Sequence, residues 1–576
     1  MDNQQFSIIF REIASLLELQ RDDPFRIRAY RRAAQTFEHL GESLRRIAQR
    51  DALEEIPGIG KTLAREIREL LETGRLRYHE HLKSTVPEGL LPFLHLPSLS
   101  TEQVRLLWRQ YDITSMKQLQ QACREENLPF DTSTLSALGK DLDTWQRQQN
   151  RMLLGVALPR AEILVQNLAR LATVERISLA GSIRRGVATV GDIDIVMASA
   201  DPPALLHTCN QQPEVRQVLE TGPNVTVVIT SEGLRLSISA VLPQQFASAL
   251  LYRTGSAAHV AALQRLAHNH SLRFTEHGLT HLEGGFPLPA NDEEDIYRAF
   301  GFPYIPPELR EDSGEIDLVE ARQPLPSLVT LDDVLGDLHV HSDWGSGSHS
   351  LADIALAGQR LGYRYVAICD YAYSSETGRG LTAEQLEQQI AAIRQLNTEL
   401  PETFRLLAGA EVEISADGNL DADDGILQQL DIVVAAIHTG LKESHQKITA
   451  RLCRAMEHPL MNILAHPTGR MLGRQETPSI DLEALIETAI DTQTYLEINS
   501  HVLRLDLPDR CVRQARDVGI AFSIGSDAHT IQEMRTMRLG VLTARRGWVE
   551  PTQILNALPY GELLQRLKGR DVSHVP

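Results

Sequence analysis

Two short motifs in the C-terminal half of the chain place metal-binding side chains two residues apart. DLHVH stands at 337–341, and GSDAH at 525–529 follows the apolar run 520–524. Side chains two residues apart on a strand point to the same side of it. The two motifs therefore predict strand ends whose side chains converge on one metal site. The four side chains concerned are His339, His341, Asp527 and His529.

Three further apolar runs between these motifs each lead to one potential ligand. The runs are 404–410, 430–437 and 462–465, and the residues that follow them are Glu411, His438 and His466. One histidine after an apolar run is more often a hydrogen-bonded core residue than a ligand. A series of such strand ends favours a site that holds more than one ion.

Helical stretches separate these runs, for example at 383–397, 444–457 and 481–491. Strands that alternate with helices in this way predict a parallel α/β barrel. The active site of such a barrel lies at the carboxyl ends of its strands. The potential ligands occupy those ends, so the expected barrel and the expected metal site agree.

These motifs resemble a PHP (polymerase and histidinol phosphatase) domain, a metal-dependent phosphoesterase with a distorted TIM-like barrel. DLHVH, GAEVEI, His438, AHPTGR and GSDAH carry the resemblance. It implies one ion held by His339, His341, Glu411 and Asp527, and a second held by Glu411, His438 and His466. Mixed imidazole and carboxylate ligands suit Mn²⁺ or Zn²⁺. About two ions are expected, with Glu411 and Asp527 as catalytic residues.

The third ion of that family is in doubt here. The family's turns contribute Asp and His, whereas 345–347 reads GSG and 370–372 reads DYA. Only His529 remains of its ligands. The candidate substitutes are Asp343, His349 and Asp370.

A second pair of carboxylates lies in the N-terminal half. Asp192 and Asp194 stand two apart in VGDIDIV at 190–196, so they share one face of a predicted strand. Paired carboxylates can hold Mg²⁺ ions that bridge triphosphate oxygens. The alternative is an edge strand with two exposed aspartates. Upstream, Gly181, Ser182 and Arg185 are suited to hold phosphates.

A basic segment near the N-terminus precedes a glycine turn. Residues 21–32 hold five arginines with Phe25 and Tyr30 between them, and IPGIGK follows at 56–61. The glycines permit a tight turn, and backbone N–H groups at the next helix start can hold a phosphate. We expect a helix-hairpin-helix that contacts DNA. The alternative for the arginines is a solvated helix face. The expected contact residues are Arg28, Arg31, Gly58, Gly60 and Lys61.

Taken together, these motifs resemble an X-family DNA polymerase joined to a PHP domain, the arrangement of the bacterial PolX family. The resemblance covers nearly the whole chain. It adds Gly191, Tyr252 and Gly255 to the nucleotide-binding residues and implies Mg²⁺ with a dNTP. The implied regions are a helix-hairpin-helix domain (1–90), helical fingers (91–150), an α+β nucleotidyltransferase palm (151–240), a thumb (241–312), a linker (313–335) and the PHP domain (336–576).

The palm and thumb depart from the family at residues that matter for polymerisation. Ser237 stands where the family has a third catalytic carboxylate, and Arg253, Val260 and Gln264 replace other substrate contacts. Loss of one charge at a metal site removes several kcal/mol of transition-state stabilisation, which is orders of magnitude in rate. Polymerase activity is therefore expected to be weak or absent.

The charge is unevenly distributed along the 576 residues. The net charge is −19, of which −3 falls on residues 1–300 and −16 on residues 301–576. DNA affinity must then come from local basic patches. Five scattered cysteines without a CxxC favour the reducing cytoplasm. No apolar run is long enough to cross a membrane, no signal peptide is visible, and a monomer is expected.

The expected function is DNA repair: binding of gapped, nicked or 3′-ended DNA, with metal-dependent 3′-5′ exonuclease activity in the barrel. Two alternatives stay open. The chain is a catalytically degenerate scaffold that binds DNA ends, or its barrel hydrolyses a small phosphate ester. A polymerase-like half has no use in a small-molecule phosphatase.

Overall fold

A computed structural model describes residues 3–38, 40, 44–96, 98–125, 127–149, 151–375, 378, 380–441, 443–473 and 480–568. The predicted domain limits at residues 1, 150 and 576 lie outside these ranges. None of the described helices combines the length and the apolar character that a membrane span requires.

The N-terminal region is helical wherever it is described. Its centre is a cluster of aromatic rings, in which Phe10 contacts Tyr30 and Phe37 at centroid distances of 5.6 and 4.9 Å. Gly60 caps the helix that begins at Lys61, as expected for the hairpin. The helices are α1 (Asn3–Gln20), α2 (Pro24–Glu38), α3 (Leu44–Gln49), α4 (Lys61–Thr73), α5 (Arg77–Thr85), α6 (Thr101–Tyr111), α7 (Met116–Arg124) and α8 (Thr132–Gln149).

The next region is a five-stranded sheet with helices, in the strand order β2-β4-β7-β6-β5. Strands β4 and β7 run parallel at its centre, which sets Asp194 opposite Ser237. The elements are β1 (Met152–Leu153), α9 (Leu154–Leu168), β2 (Arg176–Leu179), α10 (Gly181–Arg184), β3 (Thr189–Val190), β4 (Ile193–Ala198), α11 (Pro202–Asn210), β5 (Val215–Thr221), β6 (Val225–Thr230) and β7 (Arg235–Val241).

A smaller region follows, built on a buried charge network. The Glu293 carboxylate accepts hydrogen bonds from Arg310 at 2.6 Å and from Arg184 of the sheet region at 2.7 and 2.8 Å. The elements are α12 (Phe246–Thr254), α13 (Ala257–Asn269), β8 (Leu272–Thr275), β9 (Gly278–His281), β10 (Pro287–Leu288), α14 (Glu293–Ala299) and α15 (Glu315–Glu320).

The predicted linker, 313–335, is not simply an extended connection. It contains α15, and Ile316 and Val319 are buried in the core of the preceding region. Val329 and Val334 are buried in the core of the barrel. Pro324 and Pro326, which suggested a linker, lie between these two buried pairs. The buried side chains therefore anchor the segment to the preceding region at one end and to the barrel at the other.

The C-terminal half is a seven-stranded, fully parallel sheet that runs in sequence order from β11 to β17. A parallel bridge between Val340 and Ala528 brings the first and last strands together, so the sheet nearly closes into a barrel. This confirms the predicted fold class. The strands are β11 (Gly336–Val340), β12 (Tyr365–Ile368), β13 (Arg405–Glu413), β14 (Ile432–Ala436), β15 (Ile463–Leu464), β16 (Tyr495–Asn499) and β17 (Phe522–Gly525).

Helices surround this barrel, and one of them also contacts the sheet region. Arg546 of α22 donates to the backbone oxygen of Arg185 at 3.1 Å and to Glu311 at 2.8 Å. The helices are α16 (Leu351–Arg360), α17 (Ala383–Glu399), α18 (Asp424–Leu427), α19 (His445–Met456), α20 (Leu482–Asp491), α21 (Asp509–Asp517), α22 (Met537–Arg546) and α23 (Tyr560–Lys568).

Short 3₁₀ turns complete the described elements. They are Leu53–Glu55, Glu88–His95, Pro243–Gln245, Pro307–Leu309, Leu331–Asp333, Glu533–Thr536, Pro551–Gln553 and Leu555–Ala557.

Candidate functional site

Four side chains that the sequence grouped around a first ion meet at the mouth of the barrel. Nε2 of His341 lies 3.4 Å from Oε2 of Glu411 and 3.3 Å from Oδ1 of Asp527. Nε2 of His339 lies 3.3 Å from the same oxygen of Glu411. The ligand atoms of all four residues lie within 4.8 Å of one another, and all four side chains are buried.

A second group shares Glu411. Its other carboxylate oxygen, Oε1, lies 3.1 Å from Nε2 of His438 and 3.2 Å from Nε2 of His466. Glu411 therefore presents one oxygen to each group, as expected for a carboxylate between two ions. It lies within β13, which continues to Glu413, rather than beyond the end of its strand.

Outer carboxylates fix the orientation of the imidazoles. Glu497 contacts Nδ1 of His339 at 2.8 Å and accepts the backbone N–H of His466 at 2.8 Å. Glu413 contacts Nδ1 of His438 at 2.7 Å. A carboxylate on Nδ1 turns Nε2 toward the centre and raises its basicity as a ligand.

The sequence interpretation missed these outer residues. Glu413 stands two positions after Glu411, so the period of a strand was a usable signal. Glu497 lies inside the apolar run 495–499. A buried glutamate in such a run needs a partner. Gly525 makes room for it, because a Cβ there would lie 2.3 Å from Oε1 of Glu497.

The electrostatics of the mouth favour a bound cation. Burial favours neutral carboxyls, but His438 and His339 hold the pKa of Glu411 well below its ordinary value. Burial also disfavours the imidazolium form of His438, yet Glu411 and Glu413 raise its pKa to about 10. Burial and His529 lower the pKa of His341 to about 4, which leaves a neutral imidazole. Neutral imidazole is the form that binds metals, so a bound ion would displace the proton that the carboxylates otherwise hold on His438.

The donor set fits divalent metal ions. Two ligand atoms about 2.1 Å from one ion lie about 3.0–3.4 Å apart, and most of the distances above fall in this range. Among the described residues, neither ring nitrogen of His341 makes a hydrogen bond, although both are buried. A buried polar atom without a partner is costly unless something binds it.

Two of the residues in the two ligand groups adopt strained backbone conformations. His466 has a φ of 30° and Asp527 a φ of 54°, in the left-handed region that side chains with a Cβ rarely adopt. Such strain persists where surrounding structure imposes it, and it concentrates at functional sites. Each residue stands two positions after the end of a short strand, β15 for His466 and β17 for Asp527.

Of the residues considered for a third ion, His529 and Asp370 lie beside His341 of the first group. The His529 ring stacks on His341 at 4.2 Å, and it belongs to neither group. Asp370 accepts hydrogen bonds from the Ser342 backbone at 2.8 Å and from Gln389 at 2.6 Å. Asp343 pairs with Arg46 at 3.0 Å. Both carboxylates are thus occupied by protein partners.

The palm carboxylates have a different environment. Burial and the adjacent Asp192 raise the pKa of Asp194 to about 6, against the opposing effects of Arg253 and Ser237. The Nε atom of Arg235 lies 4.0 Å from Oδ2 of Asp192. The face that carries the two aspartates therefore also carries an arginine, and Ser237 adds no negative charge.

The residues expected to hold a nucleotide lie around this pair. A Cβ at Gly181, whose φ is 61°, would approach Oδ2 of Asp194 to 1.9 Å, so only glycine fits. Arg185 is ion-paired with Glu311 at 2.9 Å and donates to the Thr254 backbone at 2.7 Å. A phosphate would have to compete for its guanidinium. Ser182 lies in α10, and Gly191 lies in the short connection between β3 and β4. Tyr252 and Gly255 lie at the C-terminal end of α12.

The expected DNA contacts lie on one part of the helical region. Gly58, Gly60 and Lys61 are exposed at the start of α4. The Arg28 guanidinium stacks on Phe25 at 4.6 Å, and 74% of Phe25 is exposed. Arg31 pairs with Glu18, which reduces its availability.

Two family descriptions match the N-terminal half. Residues 1–76 match a helix-hairpin-helix domain. Residues 249–311 match the DNA polymerase beta thumb.

Relatives match the whole chain or one half. The DNA polymerase/3′-5′ exonuclease PolX of Bacillus subtilis is 34% identical over 569 residues, which is 98% of this chain and 99% of that protein. A probable phosphatase of Syntrophotalea carbinolica is 29% identical over 230 residues, covering 38% of this chain and 90% of the phosphatase. DNA polymerase lambda of Rattus norvegicus is 26% identical over 289 residues, 44% of this chain and 48% of that polymerase.

Proposed function

Because the chain belongs to the PolX family of DNA polymerase/3′-5′ exonucleases, we propose that it removes nucleotides from DNA 3′ ends in its C-terminal barrel. The observation that carries the proposal is the pair of ligand groups that share Glu411. A site of this kind is built for phosphodiester hydrolysis. The chain binds DNA, and gapped or nicked DNA is the proposed substrate.

In this proposal His339, His341, Glu411 and Asp527 hold one ion, and Glu411, His438 and His466 hold the second. When bound, the ions would lower the pKa of an attacking water and stabilise the charged phosphate. The protein fixes the ligand directions through Glu413 and Glu497 and excludes bulk water from the buried groups. The mixed ligands suit Mn²⁺ or Zn²⁺, and the resemblance to the family favours Mn²⁺.

We propose that polymerase activity is weak. Asp192 and Asp194 would hold Mg²⁺ with a dNTP near Gly181, Ser182 and Arg185, but Ser237 supplies no third carboxylate. The 4.0 Å approach of Arg235 to Asp192 supports this, because an arginine there repels a cation.

The proposed domains follow the expected limits, with DNA contacts at Arg28, Arg31, Gly58, Gly60 and Lys61. The five free cysteines fit a reducing cytoplasm, and a monomer is proposed. Charge reversal at Arg28 and Arg31 in the full chain should weaken binding to gapped DNA. It should also flatten the dependence on salt, since each phosphate contact contributes a log–log slope of about −0.9. Unchanged binding would remove this surface from the proposal.

The decisive activity assay uses metal-loaded protein, Mn²⁺ and DNA labelled at its 5′ end. We expect stepwise shortening from the 3′ end, lost in His339→Ala. The matched control is His458→Ala, which follows α19 and contacts Asp424 at 3.1 Å. A parallel assay with p-nitrophenyl phosphate tests the phosphatase alternative. Hydrolysis of that ester alone would favour it, and DNA binding without any hydrolysis would favour the scaffold.

A further inference from the structure

Arg504 lies at the barrel mouth, in the loop after β16, and contacts one of the proposed metal ligands. Its Nε lies 3.6 Å from Oδ2 of Asp527, whereas Oδ1 of that carboxylate lies 3.3 Å from Nε2 of His341. Asn499 also donates to Oδ2, at 3.2 Å. The Asp527 carboxylate therefore stands between the metal ligands and a fixed positive charge.

The guanidinium of Arg504 keeps donors available. Its side chain is 18% exposed. Among the described residues its one ion pair is the contact with Asp527, which involves Nε. Within the described part of the chain, none of its guanidinium nitrogens donates a hydrogen bond to another residue. An arginine with its terminal donors at a polar mouth is suited to bind an anion.

The loop that carries Arg504 is held by the palm. Leu505 is buried in the palm core, and Val502 packs against it. Gly155 of α9 lies so close that a Cβ there would approach Val502 to 2.8 Å. The backbone oxygen of Arg504 accepts a hydrogen bond from Arg470 at 3.0 Å. These contacts hold the backbone of the loop that carries Arg504.

We propose that Arg504 binds the non-bridging oxygens of the scissile phosphate in the barrel site, and that the palm packing positions it there. The assignment rests on the proposed phosphodiesterase function. A guanidinium offers a planar fork of donors that matches two phosphate oxygens. Its charge offsets the negative charge that develops on the phosphate during hydrolysis. A preorganised cation needs no rearrangement at that moment.

The test compares Arg504→Gln and Arg504→Lys with Arg510→Gln, a control that removes an exposed charge six residues away. Metal content and the affinity for inorganic phosphate are measured on each metal-loaded protein. We expect Arg504→Gln to keep the metals and to bind phosphate at least ~10-fold more weakly. Arg504→Lys should recover part of the affinity, and the control should match the natural protein.

Unchanged phosphate affinity in Arg504→Gln would overturn the proposal. Loss of metal from that variant would also overturn it, because Arg504 would then only orient Asp527. Val502→Ala tests the palm contribution: we expect weaker phosphate binding with unchanged metal content, and normal binding would exclude that role. Phosphate binding requires no turnover. A protein that binds phosphate but does not cleave DNA would contradict the proposed function, while the Arg504 result would still decide this inference.

Discussion

The barrel mouth and the palm are both suited to phosphate chemistry with divalent ions, but their charges are arranged in opposite ways. In the barrel, imidazoles hold the pKa of Glu411 well below its ordinary value, and outer carboxylates support those imidazoles. In the palm, burial and Asp192 raise the pKa of Asp194 to about 6, and Arg235 lies nearby. The comparison teaches that a site is defined by its supporting shell as much as by its ligands.

The largest expected effect is on the nuclease rate, and it comes from a change at the barrel mouth. Glu411→Gln keeps the shape but removes the charge that faces both ligand groups. We expect at least ~10³-fold slower release of nucleotides from DNA 3′ ends, because several kcal/mol of stabilisation are lost. The control is Glu487→Gln, an exposed residue of α20. Equal rates in Glu411→Gln and Glu487→Gln would contradict the assignment of the nuclease to the barrel mouth.

The next effect tests the supporting shell. Glu497→Gln weakens the hold on His339 and His466 without removing a proposed ligand. Loss of such an outer partner typically costs 10–100-fold in metal affinity or activity. Titration of Mn²⁺ against nuclease rate should show half-maximal activity at a correspondingly higher concentration. If Glu497→Gln needs no more Mn²⁺ than the natural protein, Glu497 does not strengthen metal binding through His339 and His466.

A smaller gain is expected in the palm. Ser237→Asp restores a third carboxylate opposite Asp194, so Mg²⁺-dependent insertion of nucleotides into gapped DNA should rise by about tenfold. Arg235 and Arg253 limit the recovery. Ser231→Asp, in the turn before β7, is the control for added charge. Robust synthesis by the natural chain would mean that Ser237 is no defect.

The sequence allowed the barrel and its ligand groups to be predicted, because each potential ligand follows an apolar run. The structure places His339, His341, Glu411 and Asp527 together as grouped. The sequence was less informative where a residue acts through a neighbour. Glu497 supports His339 and His466, but it lies within a buried strand and its role was not predicted. Leu505 and Val502, beside Arg504, meet the palm through packing between regions, which no local sequence pattern reports.

The last effect is on stability rather than on rate, and it concerns the charges buried between the palm and the thumb. Burial alone would raise the pKa of Glu293, but Arg184 and Arg310 hold it at about 2, below the ordinary value of 4.5. Its folded-state pKa is depressed, so its stabilisation is present above pH 4.5 and is lost as the pH falls toward 2. A shift of this size corresponds to about 3 kcal/mol.

Glu293→Gln should therefore lower the apparent Tm at pH 7, and the deficit relative to the natural protein should shrink as the pH falls below 4.5. Thermal unfolding over this pH series provides the measurement. Glu294→Gln, an exposed neighbour, is the control. A deficit that does not change with pH would assign the effect to packing rather than to charge.

Metal content tests the central claim, that the barrel rather than the palm is the metal-bearing catalytic centre. Elemental analysis is performed on protein purified without chelator, on Glu411→Gln and on the double variant Asp192→Asn with Asp194→Asn. We expect about two ions per chain in the natural protein. The palm variant should keep them, and Glu411→Gln should lose most of them. Loss of metal from the palm variant, with full retention in Glu411→Gln, would contradict the claim.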